Sequence, residues 1–386
     1  MRQLVTICLA CLLAGGCSGN RGPGGEGLKE HRVAVEKDPS TMYASRFTIR
    51  DMGDYRILRV IDPWQQSKAN TYTYILGDSP DPVPDSLHGY QFIKIPVKRV
   101  ITMSTTHVAM ISQLGRSSTI RGVSGTELIY DQEVRRAVEA NLVRDVGHDM
   151  TLNYETIVDI DPDVLFMYGV EGSVRNTAAR LQEMGIHVVF CAEYLERHPL
   201  GKAEWIRFFA QFYGLGEEAR GLFGTIDSAY SELSSKAGEA GARPRILTGF
   251  PWKDTWYMAG GKSYASRLID DAGGDYLWQD NPSAEAIPLD LESVYARALT
   301  ADIWINPGNT RHLDELTAYD DRFGELPVVE RGMVFNNDAR LAGSGGGNDY
   351  WESGTVRPDL VLADLIRVFH PDLLPDHTLC YYRKLK

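Results

Sequence analysis

The pattern of hydrophobic and polar positions changes character along the chain. Three short β-like runs, at residues 47–49, 55–60 and 71–76, are separated by turn-rich pieces and predict an antiparallel sheet. From Pro96 onward, strands made wholly of apolar residues alternate with amphipathic helical segments, as where the helix at 154–160 is followed by the strand at 164–167. This alternation is typical of a parallel sheet covered by helices.

A long helical region follows this first α/β segment. Apolar residues recur at spacings of three and four from Trp205 to Leu233, and a polar stretch ends at Ala242. The β/α alternation then resumes, and the order of elements around residues 152–167 is repeated around residues 289–305. The sequence therefore predicts an α/β protein with two Rossmann-like lobes, joined by one long α-helix.

The same pattern gives the expected organisation of the whole chain. The segments are 1–16, a lipoprotein signal peptide; 17–30, a flexible tether; 31–200, an N-terminal extension and the N-terminal α/β lobe; 201–240, the linker helix region; and 241–386, the C-terminal α/β lobe.

The first residues have the features of an export signal. A positive start at Arg2 precedes an apolar stretch from Leu4 to Leu13, and Ala14-Gly15-Gly16-Cys17 then resembles a bacterial lipobox. We expect Cys17 to carry lipid and the Gly-rich residues after it to act as a tether. The alternative is an ordinary secretory signal in which Cys17 is incidental.

Composition narrows the class of protein. The chain has 386 residues, a formal charge of −12 and 43% hydrophobic residues, which indicates a globular protein with a substantial core. The acidic balance argues against nucleic acid as a partner, and no apolar run approaches the roughly 20 residues that span a bilayer. After signal cleavage, Cys191 and Cys380 could form one disulfide, although Cys191 ends an apolar run and is typical of a buried thiol.

A set of short motifs resembles the substrate-binding lipoproteins of ABC importers for ferric siderophores, haem and cobalamin. The motifs are Pro96-Val-Lys-Arg-Val-Ile-Thr with Leu114-Gly115, Val146-Gly147, Leu152-Asn-Tyr-Glu155, Asp161-Pro-Asp163, Lys202-Ala-Glu204-Trp205, Met258-Ala-Gly-Gly-Lys-Ser263, Asn336-Asn-Asp338-x-Arg340 and Arg357-Pro-Asp-Leu.

The resemblance implies a lipid-anchored periplasmic binding protein, with no catalysis, that captures a ferric siderophore or haem-type chelate in a ligand cleft between the lobes. It would be a monomer that delivers this ligand to an ABC permease and ATPase complex. The metal would arrive inside the chelate, so no metal or cofactor bound directly by the protein is expected. A cobalamin-binding protein of the same family and a surface-exposed capture lipoprotein for an outer-membrane receptor remain alternatives.

One glutamate in each lobe is implicated in docking by the resemblance. By motif position these are Glu155 and Glu292, and two separated carboxylates could straddle a permease dimer and contact its arginines. The alternative is that each glutamate is a first-turn helix residue stabilised by the helix dipole.

Ligand contacts are expected from loops at the carboxyl ends of strands in both lobes. Aromatic residues suit a flat macrocycle or catecholate, and cationic residues suit an anionic iron complex, although each aromatic could equally belong to the core. The candidates are Ser104, Thr105, Thr106, Thr126, Tyr168 and Glu171 in the first lobe and Trp252, Lys253, Trp256, Tyr257, Arg340, Tyr350 and Trp351 in the second.

An enzyme on a chelatase-like two-lobed scaffold is a further alternative. It would need a pocket histidine paired with an acid, and His107 beside Thr106 is the suggestive histidine. The sequence contains neither a Gly-x-Ser-x-Gly nucleophile motif nor a His-Glu-x-x-His metal motif, which favours binding over catalysis.

Overall fold

The computed structural model describes residues 41–65, 67–148, 151–169, 172, 174–343 and 346–386. The predicted signal peptide, the lipidation site Cys17, the tether and the candidate ligand residue Glu171 lie outside the described residues.

The extension before the first lobe forms a sheet of its own. Its strands, in spatial order, are β1 (Phe47–Asp51), β2 (Tyr55–Ile61), β3 (Thr71–Gly77) and β4 (Gln91–Lys94). The first three pair antiparallel, as expected. The fourth was not predicted and pairs parallel to β3, because the chain crosses back through residues 78–90 before it enters β4.

The N-terminal lobe contains a parallel sheet in the order β7-β6-β5-β8-β9. Its strands are β5 (Val100–Thr102), β6 (Ile120–Val123), β7 (Arg144–Asp145), β8 (Val164–Met167) and β9 (Val188–Phe190).

The C-terminal lobe contains the corresponding sheet, in the order β13-β10-β15-β16-β19, in which β19 runs antiparallel to β16. The strands of this lobe are β10 (Arg245–Thr248), β11 (Pro251–Trp252), β12 (Thr255–Met258), β13 (Asp275–Tyr276), β14 (Ile287–Asp290), β15 (Ile303–Ile305), β16 (Val334–Asn336), β17 (Leu341–Ala342), β18 (Gly347–Asn348) and β19 (Arg383–Lys384).

Helices cover both main sheets. The α-helices of the described residues are α1 (Thr105–Gln113), α2 (Gln132–Glu139), α3 (Tyr154–Ile160), α4 (Val174–Glu183), α5 (Pro199–Glu204), α6 (Ile206–Gln211), α7 (Gly216–Gly238), α8 (Tyr264–Asp271), α9 (Leu291–Ala298), α10 (Leu313–Tyr319), α11 (Asp321–Gly324), α12 (Pro327–Glu330), α13 (Ser353–Val356) and α14 (Pro358–Phe369).

The two lobes repeat one local arrangement. In the first, the carboxylate of Asp163 accepts hydrogen bonds from the backbone N–H groups of Lys98 and Arg99, at 2.6 and 2.9 Å, just before β5. In the second, Asp302 accepts one from the backbone N–H of Arg245 at 2.8 Å, at the start of β10. Each aspartate precedes the strand that pairs parallel with β5 or β10. The predicted two-lobed α/β fold is therefore confirmed.

The long helix between the lobes is α7, whose 23 residues extend about 34 Å. It packs against α6 of the first lobe and against α14 of the second. The hydroxyl of Tyr230 donates to Asp271 at 2.7 Å, which ties α7 to α8 of the second lobe. The predicted linker region thus contains one long helix that is preceded by the short helices α5 and α6.

Candidate functional site

A cavity of about 520 Å³ opens where two central strands of the second lobe end. Asn306 directly follows β15, and Asn337 and Asp338 directly follow β16. In an α/β sheet this edge is where ligands bind, because loops from neighbouring strands converge there. The lining residues are Asn306, Gly308, Asn309, Arg311, Asn337, Asp338, Leu341, Gly346, Asn348 and Trp351.

The lining favours a polar ligand with one flat or apolar face. Side-chain amides offer both hydrogen-bond donors and acceptors, and Arg311 is an exposed cation at the rim. Asp338 is held by Arg383, with 2.7 Å between its carboxylate and the guanidinium. The indole of Trp351 is 57% exposed beside these groups, so it is free to stack on a ligand.

Of the predicted ligand residues that the structure describes, only Trp351 lines this cavity. The residues that sequence reasoning missed include the asparagines and Arg311. Asn306, Asn309, Asn337 and Arg311 follow β15 and β16 directly or lie in the loops after them, and Asn348 lies in β18. The signal was present in the Asn336-Asn337-Asp338 motif, which contributed to the family resemblance but was not interpreted as a binding element.

Trp256 is not a ligand residue, and the prediction for it was wrong. Its side chain is 0% exposed and packs among Phe250, Trp304 and Phe323, with ring centroids 5.7 to 6.3 Å away. Its indole N–H donates to the backbone oxygen of Thr248 at 3.2 Å. Alternation along β12 turns Trp256 inward and leaves Tyr257 outward.

Trp252, Lys253 and Tyr257 are exposed on the hairpin formed by β11 and β12. Trp252 lies opposite Thr255, and Tyr257 lies two residues further along on the same face. Contact of these three residues with a ligand stays a prediction.

Tyr350 is buried as well, and we correct the prediction for it. Its ring lies 5.7 Å from that of Tyr382 and 6.2 Å from that of Tyr381, inside the second lobe.

Arg340 already interacts with other protein groups. Its guanidinium lies 2.7 Å from the carboxylate of Asp349 and over the rings of Tyr130 and Tyr381.

The first-lobe candidates lie around the first turn of α1. Ser104 is the N-cap of this helix, and its hydroxyl accepts from the backbone N–H of Thr106 at 3.3 Å. The Thr106 hydroxyl donates to the buried Glu193 at 2.6 Å. Thr105 is half-buried beside them, and Tyr168 is half-buried with its ring 6.4 Å from that of His107.

Thr126 lies in the loop after β6, where its backbone N–H donates to Asp145 at 3.2 Å. This residue, like the candidates around α1, is not among the residues that line the second-lobe cavity.

The lobes touch directly at one edge of the cleft. The carboxylate of Glu352 accepts hydrogen bonds from the backbone N–H groups of Tyr130 and Asp131, at 2.8 and 2.7 Å. Burial raises the pKa of Glu352 to about 8, although these hydrogen bonds act in the opposite direction. Next to this contact, a Cβ atom on Gly347 would lie only 2.7 Å from the backbone oxygen of Leu128.

The two glutamates expected to dock a permease occupy equivalent places. Glu155 and Glu292 are both exposed in the first turn of a helix, α3 and α9 respectively. Glu292 also lies 3.5 Å from Arg322 as an exposed ion pair. Their role in docking stays a prediction.

Both cysteines of the described residues are free thiols, and Cys191 is buried as predicted. No helix in the described ranges is long and apolar enough to cross a membrane.

Comparison with known proteins defines the class. Residues 100–341, more than half of the chain, match the periplasmic binding protein family. The chain therefore belongs to this family of substrate-binding proteins, which confirms the resemblance found in the sequence.

Two curated relatives are lipoproteins of Methanocaldococcus jannaschii that are named as uncharacterized. One is 26% identical over 341 residues, covering 84% of this chain and 79% of the relative. The other is 25% identical over 357 residues, covering 89% and 86%.

Solved structures share the fold. A periplasmic haem-binding protein from Pseudomonas aeruginosa superposes with a TM-score of 0.55 at 15% identity, covering 75% of this chain and 98% of that chain. A protein of an Fe3+-hydroxamate transport system from Saccharomonospora viridis gives a TM-score of 0.53 at 16% identity, covering 71% and 94%.

Proposed function

We propose that this protein captures a ferric siderophore or a haem-type chelate and delivers it to an ABC permease from a lipid anchor at Cys17. The observation that carries the proposal is the cavity at the carboxyl ends of β15 and β16. Its volume of about 520 Å³ falls in the range of ligand pockets, and it opens at the carboxyl ends of two parallel strands, where ligands bind in α/β sheets.

The chemistry of the cavity favours a siderophore within this class. Asparagine amides pair well with the carbonyl and N–H groups on the outside of a ferric hydroxamate, while Trp351 packs against its carbon skeleton. Arg311 at the rim attracts an anionic complex. The structural neighbours, one a periplasmic haem-binding protein and one from an Fe3+-hydroxamate transport system, support the same class of ligand.

Delivery of the chelate to the permease requires a docking surface that includes residues of both lobes. Glu155 and Glu292 supply one exposed carboxylate per lobe, each at the amino end of a helix that precedes a central strand. Arginines on a permease would pair with both only when the two lobes are correctly placed.

A titration tests the proposal. The full chain in detergent is titrated by calorimetry with a ferric hydroxamate, a ferric catecholate, haem and cobalamin. We expect saturable binding of one equivalent of a ferric siderophore or haem, with no chemical change in the chelate. Binding of cobalamin alone would mean that the ligand is cobalamin and not a ferric siderophore or haem. Turnover of a chelate would indicate an enzyme. The absence of saturable binding would overturn the proposal.

A further inference from the structure

Three potential metal ligands meet inside the first lobe, where His107 lies close to two residues from a distant part of the sequence, Cys191 and Glu193. His107 lies in the first turn of α1, Cys191 directly follows β9, and Glu193 begins a 3-10 turn at residues 193–195. One donor atom from each lies within 4.8 Å of the other two, and all three side chains are buried.

These groups are short of hydrogen-bond partners. Within the part of the chain that the structure describes, neither ring nitrogen of His107 has a partner with hydrogen-bond geometry, and neither does Oε2 of Glu193. The remaining oxygen of Glu193 accepts from Thr106 and lies 3.4 Å from His107 Nε2. Buried polar groups that lack partners are rare because they are costly, and a bound ion would satisfy them.

Burial affects the two acidic ligands differently. Burial acts to raise the pKa of Glu193, but the nearby His107 and the hydrogen bond from Thr106 bring that pKa below its ordinary value. Burial raises the pKa of the Cys191 thiol, so metal binding would have to displace its proton.

Imidazole, thiolate and carboxylate together are a donor set for zinc and similar borderline ions. A tetrahedral zinc ion holds neighbouring N, O and S donors about 3.3 to 3.7 Å apart. The 3.4 Å between His107 Nε2 and Glu193 Oε1 already falls in this range. If Cys191 Sγ moved about 1 Å closer to the other two donors, all three donors would be spaced as a zinc ion requires.

We propose that His107, Cys191 and Glu193 bind one divalent transition-metal ion beneath the start of α1. This ion would be resident in the protein, and it is separate from any metal carried inside a chelate. It would fix α1 to the segment after β9, and so hold Ser104 and Thr106 in place at the carboxyl edge of the first-lobe sheet. The proposal does not depend on the identity of the transported ligand.

Cobalt provides a direct test because a cobalt–thiolate bond has its own absorption. Co2+ is added to the full chain in detergent, both to the folded protein and during refolding from urea, so that burial does not prevent loading. We expect one equivalent to produce thiolate-to-cobalt charge-transfer absorption that Zn2+ abolishes by displacement. Absence of this absorption under both loading conditions would overturn the proposal.

Two cysteine variants locate the site. Cys191→Ser should lose the charge-transfer absorption, whereas Cys380→Ser, which alters the other free thiol of the described residues, should retain it. Glu193→Gln keeps the thiol and the shape of the side chain, and it should weaken Co2+ binding by about tenfold or more. Absorption that persists in Cys191→Ser, or unchanged affinity in a folded Glu193→Gln protein, would also contradict the proposal.

Discussion

Glu352 of the second lobe accepts a hydrogen bond from the backbone N–H of Tyr130 in the first, at 2.8 Å. The neighbouring N–H of Asp131 donates to the other oxygen of the same carboxyl group. One buried side chain therefore connects the two lobes at the edge of the cleft, and its charge affects how firmly they are held.

The pKa of Glu352 makes this contact sensitive to pH. Since burial raises the pKa from 4.5 to about 8, its contribution to stability is fully present below about pH 4.5 and is lost as pH rises through about 8. Glu352→Gln removes the titrating group, so the thermal midpoint of this variant should fall less between about pH 4 and about pH 9 than that of the unaltered protein. Thermal unfolding followed by circular dichroism at both pH values measures this difference, and an equal effect at both would contradict the assignment.

The close approach of Gly347 to Leu128 predicts a steric effect at the same edge. Gly347→Ala would place a Cβ atom 2.7 Å from the Leu128 oxygen, and should destabilise the protein by about 1 to 3 kcal/mol in urea unfolding. Gly221→Ala is the matched control, because Gly221 lies in α7 with open space around it and should gain up to about 1 kcal/mol. Equal effects of the two substitutions would argue against a tight contact between the lobes.

The burial of Trp256 predicts a large loss of stability. Trp256→Ala should destabilise the protein by about 3 to 5 kcal/mol, because it removes the centre of an aromatic core and leaves a cavity. Trp252→Ala, four residues away and 69% exposed, should change the stability by no more than about 0.5 kcal/mol. Urea unfolding of the two variants gives both values, and similar losses would place both tryptophans in one environment.

Regular secondary structure was largely predictable from sequence. The roles of side chains were not, and the hairpin formed by β11 and β12 shows why. The helix at 154–160 and the strand at 164–167 were predicted with the bounds they have, and the strand was recognisable because it is an apolar run between turn signals. The hairpin around Lys253 was not recognised, so the alternation that separates Trp256 from Tyr257 could not be applied. The pairing of His107 with Glu193 depends on tertiary contacts, which no local pattern contains.

Docking through the two exposed glutamates predicts a separation of binding from transport. The double variant Glu155→Ala, Glu292→Ala should bind the chelate within about twofold of the unaltered protein, while uptake by cells falls by about tenfold or more because two interfacial charges are lost. The double variant Glu183→Ala, Glu330→Ala, which removes two other exposed carboxylates, is the control and should transport normally. Radiolabelled iron uptake measures both, and normal uptake by the first variant would leave the glutamates as ordinary first-turn helix residues.

The central claim is that the chelate occupies the cavity beside Trp351, and its affinity for variants tests this most directly. The chelate that binds the unaltered chain is titrated by calorimetry into Trp351→Ala and into Leu142→Ala. The second variant removes an exposed apolar side chain just before β7 of the first lobe, which is not among the residues that line the cavity. The account predicts that Trp351→Ala weakens binding by about tenfold or more and that Leu142→Ala leaves it unchanged. Unchanged affinity in a folded Trp351→Ala protein would contradict the assignment of the cavity as the binding site.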